Sequence, residues 1–466
     1  MSKQRIAEKV EVTGIADKGK AVGRDAAGEV VFMTDAIPGD IVDVQLLRRK
    51  KGVWQGVPVH YHQQSVHRQE PVCRHFEDCG GCKWQHMNYT TQLHHKEQIV
   101  RDAMNRIAKM EITSFLPIIG AENTFHYRNK MEFSFSPRRW KTKQEVVSGK
   151  QLDEDVALGF HPPGFFDKVV DITECWLQDD KSNEIRNFVR AYALEKNLTF
   201  FDPREHHGFL RNLIIRNTTL NEWMLSLVFY YEDKDKRLAL LEAVSKKFIE
   251  LESIQYVINE KKNDSLFDQR FHVFRGKDHI LESLNGLHFK IGPKSFFQTN
   301  AFQAKKLYDL AKSFCGFEGN EIVYDLYSGI GSIAMYIANR CRAVIGVEEI
   351  DEAVADAEVN AALNGLSNVH FYCGDVKEIW NDSVVRRHGH PDIVITDPPR
   401  GGMHDDVVQT ICQLLPNKVV YISCNPATQA RDIAKMSDRY SINKMQPVDM
   451  FPHTSHIENV TLLVRR

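Results

Sequence analysis

Residues 290–466 alternate apolar, strand-like runs with helical patterns. The runs fall at 322–326, 343–348, 369–373, 393–397, 419–423 and 461–464. Parallel strands need long crossovers, usually helical. The alternation therefore predicts an α/β unit: an open, mostly parallel sheet wrapped by helices, a Rossmann-like doubly wound fold. Such sheets bind ligands outside the carboxyl ends of their strands, so those ends carry the functional reading.

Four strand ends are polar. The first leads into Asp325-Leu326-Tyr327-Ser328-Gly329-Ile330-Gly331-Ser332. Its glycines let the backbone turn sharply against a ligand, although a full G-x-G-x-x-G is absent. The second ends at Glu348, 17 residues past Gly331. That is near the spacing at which an acid reaches ribose hydroxyls, with Glu349 as the competing choice. The third ends at Gly374-Asp375 and the fourth at Asp397-Pro398-Pro399-Arg400. One such acid is ordinarily a cap or a surface residue; four on one rim predict a cofactor pocket.

A fifth strand delivers Ser423-Cys424-Asn425-Pro426 to the same rim. Most cysteines are buried hydrophobes, and Cys315, Cys341, Cys373 and Cys412 are read that way. Cys424 stands among polar residues at a strand end, where a thiolate can act as a nucleophile. Glu458 precedes the last strand and reaches the rim if that strand runs antiparallel. It is a candidate general base, with His453 and His456 as rivals that spacing does not separate.

Two further segments precede this unit. In residues 1–62, short β-like runs at 9–13, 29–33, 40–47 and 53–59 alternate with Gly14, Gly19, Gly23, Gly28 and Pro38-Gly39-Asp40. This predicts a small OB-like β-barrel. The basic run at 48–51 is equally well a solvated surface. Residues 63–289 read as α+β, with a helix over 89–107, strands near 213–216 and 223–231, and a helix over 237–248. The basic-aromatic stretch 138–143 is a solvated loop or, if RNA is bound, a phosphate and base contact. With 42% hydrophobic and 26% charged residues, the chain is neither collagen-like, mucin-like nor wholly disordered. A net charge of −2 means that any basic surface is local. No apolar run of membrane-spanning length and no secretory signal occurs, so a cytoplasmic location without membrane contact is expected.

Cys73, Cys79 and Cys82 form a tight triplet around Gly80-Gly81, and Cys175 is the natural fourth thiol. Four thiolates suit zinc or an iron–sulfur cluster equally. His75 or His86 could complete a zinc site instead.

These motifs together resemble the S-adenosylmethionine-dependent RNA uracil-C5 methyltransferases. The likeness lies in 325–332, Gly346-Val347-Glu348, Asp397-Pro398-Pro399-Arg400, Ser423-Cys424-Asn425-Pro426 and His456-Ile457-Glu458. Ser295-Phe296-Phe297-Gln298-Thr299-Asn300 resembles the family's entry into its catalytic domain. The N-terminal segment resembles a TRAM domain through Gly14, Gly23, Val31-Phe32 and Pro38-Gly39-Asp40.

The resemblance implies Cys424 as nucleophile and Glu458 as base. It implies Gln298, Tyr327, Ser332, Glu348, Asp375 and Asp397 around S-adenosylmethionine, and Phe296 stacked on the target base. Ser332 and Asn459 depart from the family's small polar residues. Cys-Gly-Gly-Cys followed by Gln85 and a Tyr-x-x-Gln-Leu helix start resembles members that carry a [4Fe-4S] cluster and modify 23S rRNA. A cluster on Cys73, Cys79, Cys82 and Cys175 and an RNA-binding TRAM barrel are expected accordingly. Arg128-Asn129-Lys130 and residues 210–216 are expected to face RNA, and the protein to be monomeric and not to bind DNA. The alternatives are a tRNA uracil-C5 methyltransferase, against which triplet and barrel argue, and a non-catalytic iron–sulfur RNA-binding or ribosome assembly factor.

Overall fold

The computed structural model describes residues 5–148, 155–379 and 382–466. Strands β1 (Arg5–Ile15), β2 (Ala21–Arg24), β3 (Val30–Met33), β4 (Ile41–Lys50) and β5 (Val53–Gln63) close into a barrel in the order β1-β2-β3-β5-β4. Closure leaves no edge exposed. Alternate residues turn inward and fill the barrel with Val10, Val12, Val31, Met33, Val42 and Val44. β2 is not expected from the sequence, where Gly19 and Gly23 read as turns. Gly23 instead lies inside the strand because β1 crosses close by: a Cβ there would meet Glu11 O at 2.4 Å. The basic run ends β4, where Arg49 pairs with Glu29 and lies 5.4 Å over the Trp54 ring.

Helix α1 (Tyr89–Ala103) and β6 (Ile112–Phe115) follow. Asn88 caps α1 by accepting the Thr91 N–H. Next come β7 (Lys130–Ser136), β8 (Ala157–Phe160), β9 (Val170–Asp171), β10 (Leu210–Asn217), β11 (Trp223–Phe229), β12 (Ser253–Ile258) and β13 (His272–Gly276). They form a seven-stranded sheet in the order β13-β12-β11-β10-β7-β8-β9. Helices Asp180–Glu195 and Lys234–Lys247 pack Ile185, Val189, Leu240 and Leu241 into one core with Phe133, Leu213 and Leu225.

Two basic stretches depart from their expected roles here. Arg138 pairs with Asp202 at 2.8 Å and Arg139 with Glu145 at 2.6 Å, so these arginines do not stand free for RNA. Arg211 does not face RNA either. It is 2% exposed and donates to the carbonyls of Asn259, Lys261 and Asn263.

A hairpin of β14 (Ile280–Leu284) and β15 (Leu287–Ile291) leads into the last sheet. Its strands are β16 (Ile322–Leu326), β17 (Ala343–Glu348), β18 (Val369–Cys373), β19 (Ile393–Thr396), β20 (Lys418–Ser423), β21 (Tyr440–Val448) and β22 (Glu458–Arg465). The order is β18-β17-β16-β19-β20-β22-β21-β6, with β22 antiparallel to both neighbours. Strand alternation feeds two cores. Val323, Val420 and Ile422 join helix Ala301–Cys315 on one face, and Tyr324, Val419 and Tyr421 join Val100, Ile411 and Ile433 on the other. Burial on both faces is the doubly wound arrangement.

Two strands of this sheet escape the sequence reading. β21 is bulged between Ile442 and Lys444, which breaks its period of two. β6, only four residues long, comes from before the central sheet yet pairs in parallel with β21. No helix among the described residues is long and apolar enough to cross a membrane.

Candidate active site

The parallel strands converge on one rim. After β16 the chain turns through left-handed Tyr327 (φ 63°), Gly329 (φ 54°) and Gly331 (φ 79°) into helix Ser332–Ile337. Gly331 is required there because a Cβ would meet the Phe371 ring at 2.5 Å. At the end of β17, Glu348 accepts the N–H of Gly329 (2.9 Å) and of Ile350 (3.0 Å), which ties the turn to the carboxylate. Asp397-Pro398-Pro399-Arg400 follows β19, and Cys424 follows β20. Asn425 caps helix Pro426–Lys435, and its side-chain N–H binds Arg400 O at 3.0 Å. The two loops are thereby joined. β22 runs the opposite way and opposes Asn459 to Ser423, so Glu458, its first residue, lands on the same rim.

These ends surround one cavity of about 1030 Å³. Gln298, Tyr327, Ser332, Glu348, Asp397, Cys424 and Glu458 line it, as does Phe296, which is 66% exposed. Asp375 is exposed and lies outside this lining. Arg128 lines a second cavity of about 530 Å³, of which Phe296 is also a wall. The Ser332 hydroxyl bonds Tyr308 OH at 2.9 Å, a partner that no sequence motif marks.

Burial concentrates charge coupling around the cysteine. Desolvation raises the Cys424 thiol to about 11, with Glu458 and Asp397 adding to the rise and Arg400 opposing it. Glu458, 5% exposed, is raised well above the ordinary carboxylate range by burial and then by Asp397. Burial brings Asp397 to about 7. The cavity thus resists several negative charges at once.

Geometry separates the rival bases. His453 is buried between Gln92 (3.2 Å) and the Phe125 ring (4.3 Å). His456 lines the second cavity, 3.3 Å from Arg400. Burial lowers each imidazole to about 4. Only Glu458 of the three shares the larger cavity with Cys424.

Asp325 lies beneath the turn and accepts the Ala334 N–H at 3.0 Å. Burial and then Asp397 push its carboxyl up to about 8. A carboxyl whose folded pKa is raised stabilises the fold fully at low pH and loses that contribution as pH rises through the folded value. Thermal unfolding is therefore expected to shift to lower temperature as pH rises from about 4 to about 8. Asp325→Asn should flatten that fall; an unchanged pH profile would contradict the assignment.

Cys73, Cys79, Cys82 and Cys175 all line the second cavity. Burial raises Cys73 to about 12 and Cys79 to about 11, and raises Cys82 and Cys175 too. Gly80 is left-handed (φ 69°), and a Cβ there would meet Pro163 at 2.6 Å. Of the alternative ligands, His75 is bonded to Thr173 at 3.0 Å and His86 packs 5.1 Å from the Phe76 ring. No group of His, Cys, Asp or Glu that could hold a metal ion is present among the described residues, so the expected metal centre is not shown. Of the cysteines read as buried, Cys315 and Cys341 are so, Cys412 is half-buried, and Cys373 is exposed because it closes a strand at the rim.

Sequence reasoning missed what holds this rim. Lys96 of α1 bonds Asp449 at 2.6 Å, Tyr89 OH donates to the same carboxylate at 3.0 Å, and Lys96 also donates to Phe451 O at 2.9 Å. Some 353 positions separate Lys96 from Asp449, and no local pattern links them.

A family model described as tRNA (Uracil-5-)-methyltransferase matches residues 215–466. Proteins named uncharacterized RNA methyltransferases are similar over nearly the whole chain. One from Bacteroides thetaiotaomicron is 47% identical, covering 97% of this chain and 100% of its own. One from Porphyromonas gingivalis is also 47% identical, covering 98% and 99%. Among solved structures, the Pyrococcus abyssi tRNA (uracil-54, C5)-methyltransferase in complex with S-adenosyl-L-homocysteine superposes with a TM-score of 0.75 at 27% identity, covering 98% of this chain and 100% of that one. The doubly wound sheet, the polar rim with its cysteine and these full-length likenesses agree: the chain belongs to the tRNA (uracil-5-)-methyltransferase family of RNA methyltransferases.

Proposed function

We propose that the protein transfers a methyl group from S-adenosylmethionine to C5 of a uridine in 23S rRNA through a covalent bond between Cys424 and C6. The observation that carries this reading is that Cys424 and Glu458 line one cavity together with Glu348 and Asp397. Ser328 Oγ, also in that lining, is buried without a partner, and nothing lies within 4 Å of a Cβ built on Gly329. This open, unsatisfied turn fits a polar cofactor, with Gln298, Tyr327, Ser332, Glu348 and Asp397 around it. Asp375, the sixth residue of the proposed set, lies outside that lining. When bound there, S-adenosylmethionine would supply an electrophilic methyl group.

The protein's residues do the rest. The Cys424 thiolate adds to C6, and the C5=C6 electron pair moves onto C5 and O4, which makes C5 nucleophilic. Once C5 is methylated, Glu458 accepts the C5 proton, the double bond re-forms and the thiolate leaves. Arg400 favours the anionic form of both Cys424 and Glu458. The uridine must leave its stack to enter the cavity, and Phe296 offers an exposed ring to receive it.

At the second cavity we infer a [4Fe-4S] cluster on Cys73, Cys79, Cys82 and Cys175, a reading supported by all four lining it. The transfer needs no electrons, so the role inferred for the cluster is structural or RNA-positioning. Anaerobically purified protein is expected to be brown, and Cys175→Ser to lose most of its iron; colourless protein with stoichiometric zinc would overturn the inference.

A second reading, a tRNA substrate, is favoured by the Pyrococcus abyssi likeness. That tRNA enzyme matches 98% of this chain, so full-length likeness does not separate the two substrates. Mapping 5-methyluridine in RNA from cells with and without the gene decides. Loss from 23S rRNA supports the first reading and loss from tRNA alone the second. Loss from neither, with no trapped adduct on 5-fluorouridine RNA, would leave a non-catalytic RNA-binding role.

A further inference from the structure

The second cavity gathers three cations. Arg128, Lys130 and Arg216 all line it. Lys130 on β7 stands directly opposite Arg216 on β10. Like charges placed opposite each other across a sheet destabilise it. Arg216 is 5% exposed, and its Nη2 donates to the carbonyls of Ser295 (2.7 Å) and Pro293 (3.2 Å), while its Nε has no partner. Two acids share the lining. Glu174 pairs with Arg74, and Glu132 lies two residues along β7 from Lys130. Among the described residues no ion pair joins a carboxylate to these three cations; Glu132 acts on Lys130 and Arg216 only at longer range. Burial, and then Arg216, lower the Lys130 ammonium to about 8. Three cations thus face one cavity against Glu132, whose own carboxyl burial pushes toward the neutral form, and the excess positive charge is complementary to an anion.

The placement identifies the anion. Phe296 walls both cavities, and the Arg216 contacts fix the segment immediately before it. When the target uridine leaves its stack, its neighbour in the strand loses a stacking partner as well.

We propose that this cavity receives an unpaired nucleotide flanking the target uridine, its phosphate on Arg128, Lys130 and Arg216 and its base against the far side of Phe296. The proposal rests on the reading of the larger cavity as a uridine site. It makes Phe296 a shared partition: one face serves the reacting base, the other its neighbour. Base–aromatic stacking tolerates any base, so selectivity here is for an unpaired strand rather than a letter.

The test is methyl transfer to in-vitro-transcribed 23S rRNA by wild type and Lys130→Gln across a salt series, with iron content and the KM for S-adenosylmethionine measured in parallel. Lys130→Gln should raise the KM for RNA about tenfold, and by more than it lowers kcat. It should flatten the log–log salt dependence of RNA affinity by about 0.7, the loss of one phosphate contact on a single strand. Iron content and the KM for S-adenosylmethionine should not move, and Lys130→Arg should restore the salt slope. Arg128→Gln reads the same contact if Lys130→Gln does not fold. An unchanged KM and slope in the folded variant would overturn the proposal. So would iron loss with unchanged RNA affinity, which would make the cations counter-charges to the thiolates. A wild type that methylates neither 23S rRNA nor tRNA and forms no adduct with either would instead sink the uridine-site reading.

Discussion

Replacing Cys424 by alanine is expected to abolish methyl transfer, lowering kcat by roughly 10⁴-fold or more, as loss of a covalent nucleophile does. It should also abolish the covalent complex with 5-fluorouridine RNA. In wild type that complex accumulates, because fluorine at C5 leaves no proton for Glu458 to take. The pH dependence follows from the thiol. Burial, Glu458 and Asp397 hold Cys424 up at about 11 in the empty cavity, and the thiolate is the reactive form. Its fraction rises about tenfold per pH unit below that value, so adduct formation should accelerate steeply between about pH 6 and 9. Arg400→Ala removes the cation opposing the rise and should shift the limb to higher pH. Glu458→Gln should separate the two halves of the reaction: it still forms the bond to C6 but releases product about 10²–10⁴-fold more slowly, so covalent RNA builds up on ordinary uridine. A Glu458→Gln enzyme that turned over normally would remove the base assignment while leaving the nucleophile intact.

Replacing Lys96 by methionine is expected to destabilise the catalytic body by about 3–5 kcal/mol, the cost of leaving a buried carboxylate without its cation. Lys96 and Asp449 are both 0% exposed and 2.6 Å apart. Their net also holds Phe451 through Lys96 (2.9 Å to its carbonyl) and Asp449 (3.0 Å from its N–H). Phe451 lines the larger cavity, and residues 452–457 connect it to Glu458. The variant should therefore lose activity beyond its loss of folded protein, because the chain that delivers Glu458 is no longer tethered. Lys96→Met with Asp449→Leu removes both charges. It should recover much of the stability, as apolar replacement of a buried pair often does, but not the positioning. Denaturant unfolding of the single variant checks the first statement. A loss below about 1 kcal/mol, the range of an exposed pair, would contradict a buried, tethering role.

The parallel strands β16 to β20 of the doubly wound sheet were legible because each carries a short apolar run of its own. β16, β17 and β18 match their apolar runs to the residue. Cys424 and Glu458 were legible as chemistry because polar groups at strand ends have no role in a core. The barrel strand β2 was not, since a glycine that permits close strand crossing looks like a glycine that makes a turn. Arg211 was misread because a run of residues does not say whether its cations meet water or backbone carbonyls.

Local pattern determined most of the parallel strands, the rim they end on and the place of Cys424 upon it, because hydrophobic periodicity and turn chemistry act between residues close in the chain. Only the tertiary structure decided that β6 completes a sheet begun two hundred residues later, that Lys96 anchors Asp449, and that the four thiols share a cavity with Phe296. Those contacts join distant residues through burial and charge. Their energies depend on what surrounds each group once the chain has closed, which no stretch of letters records.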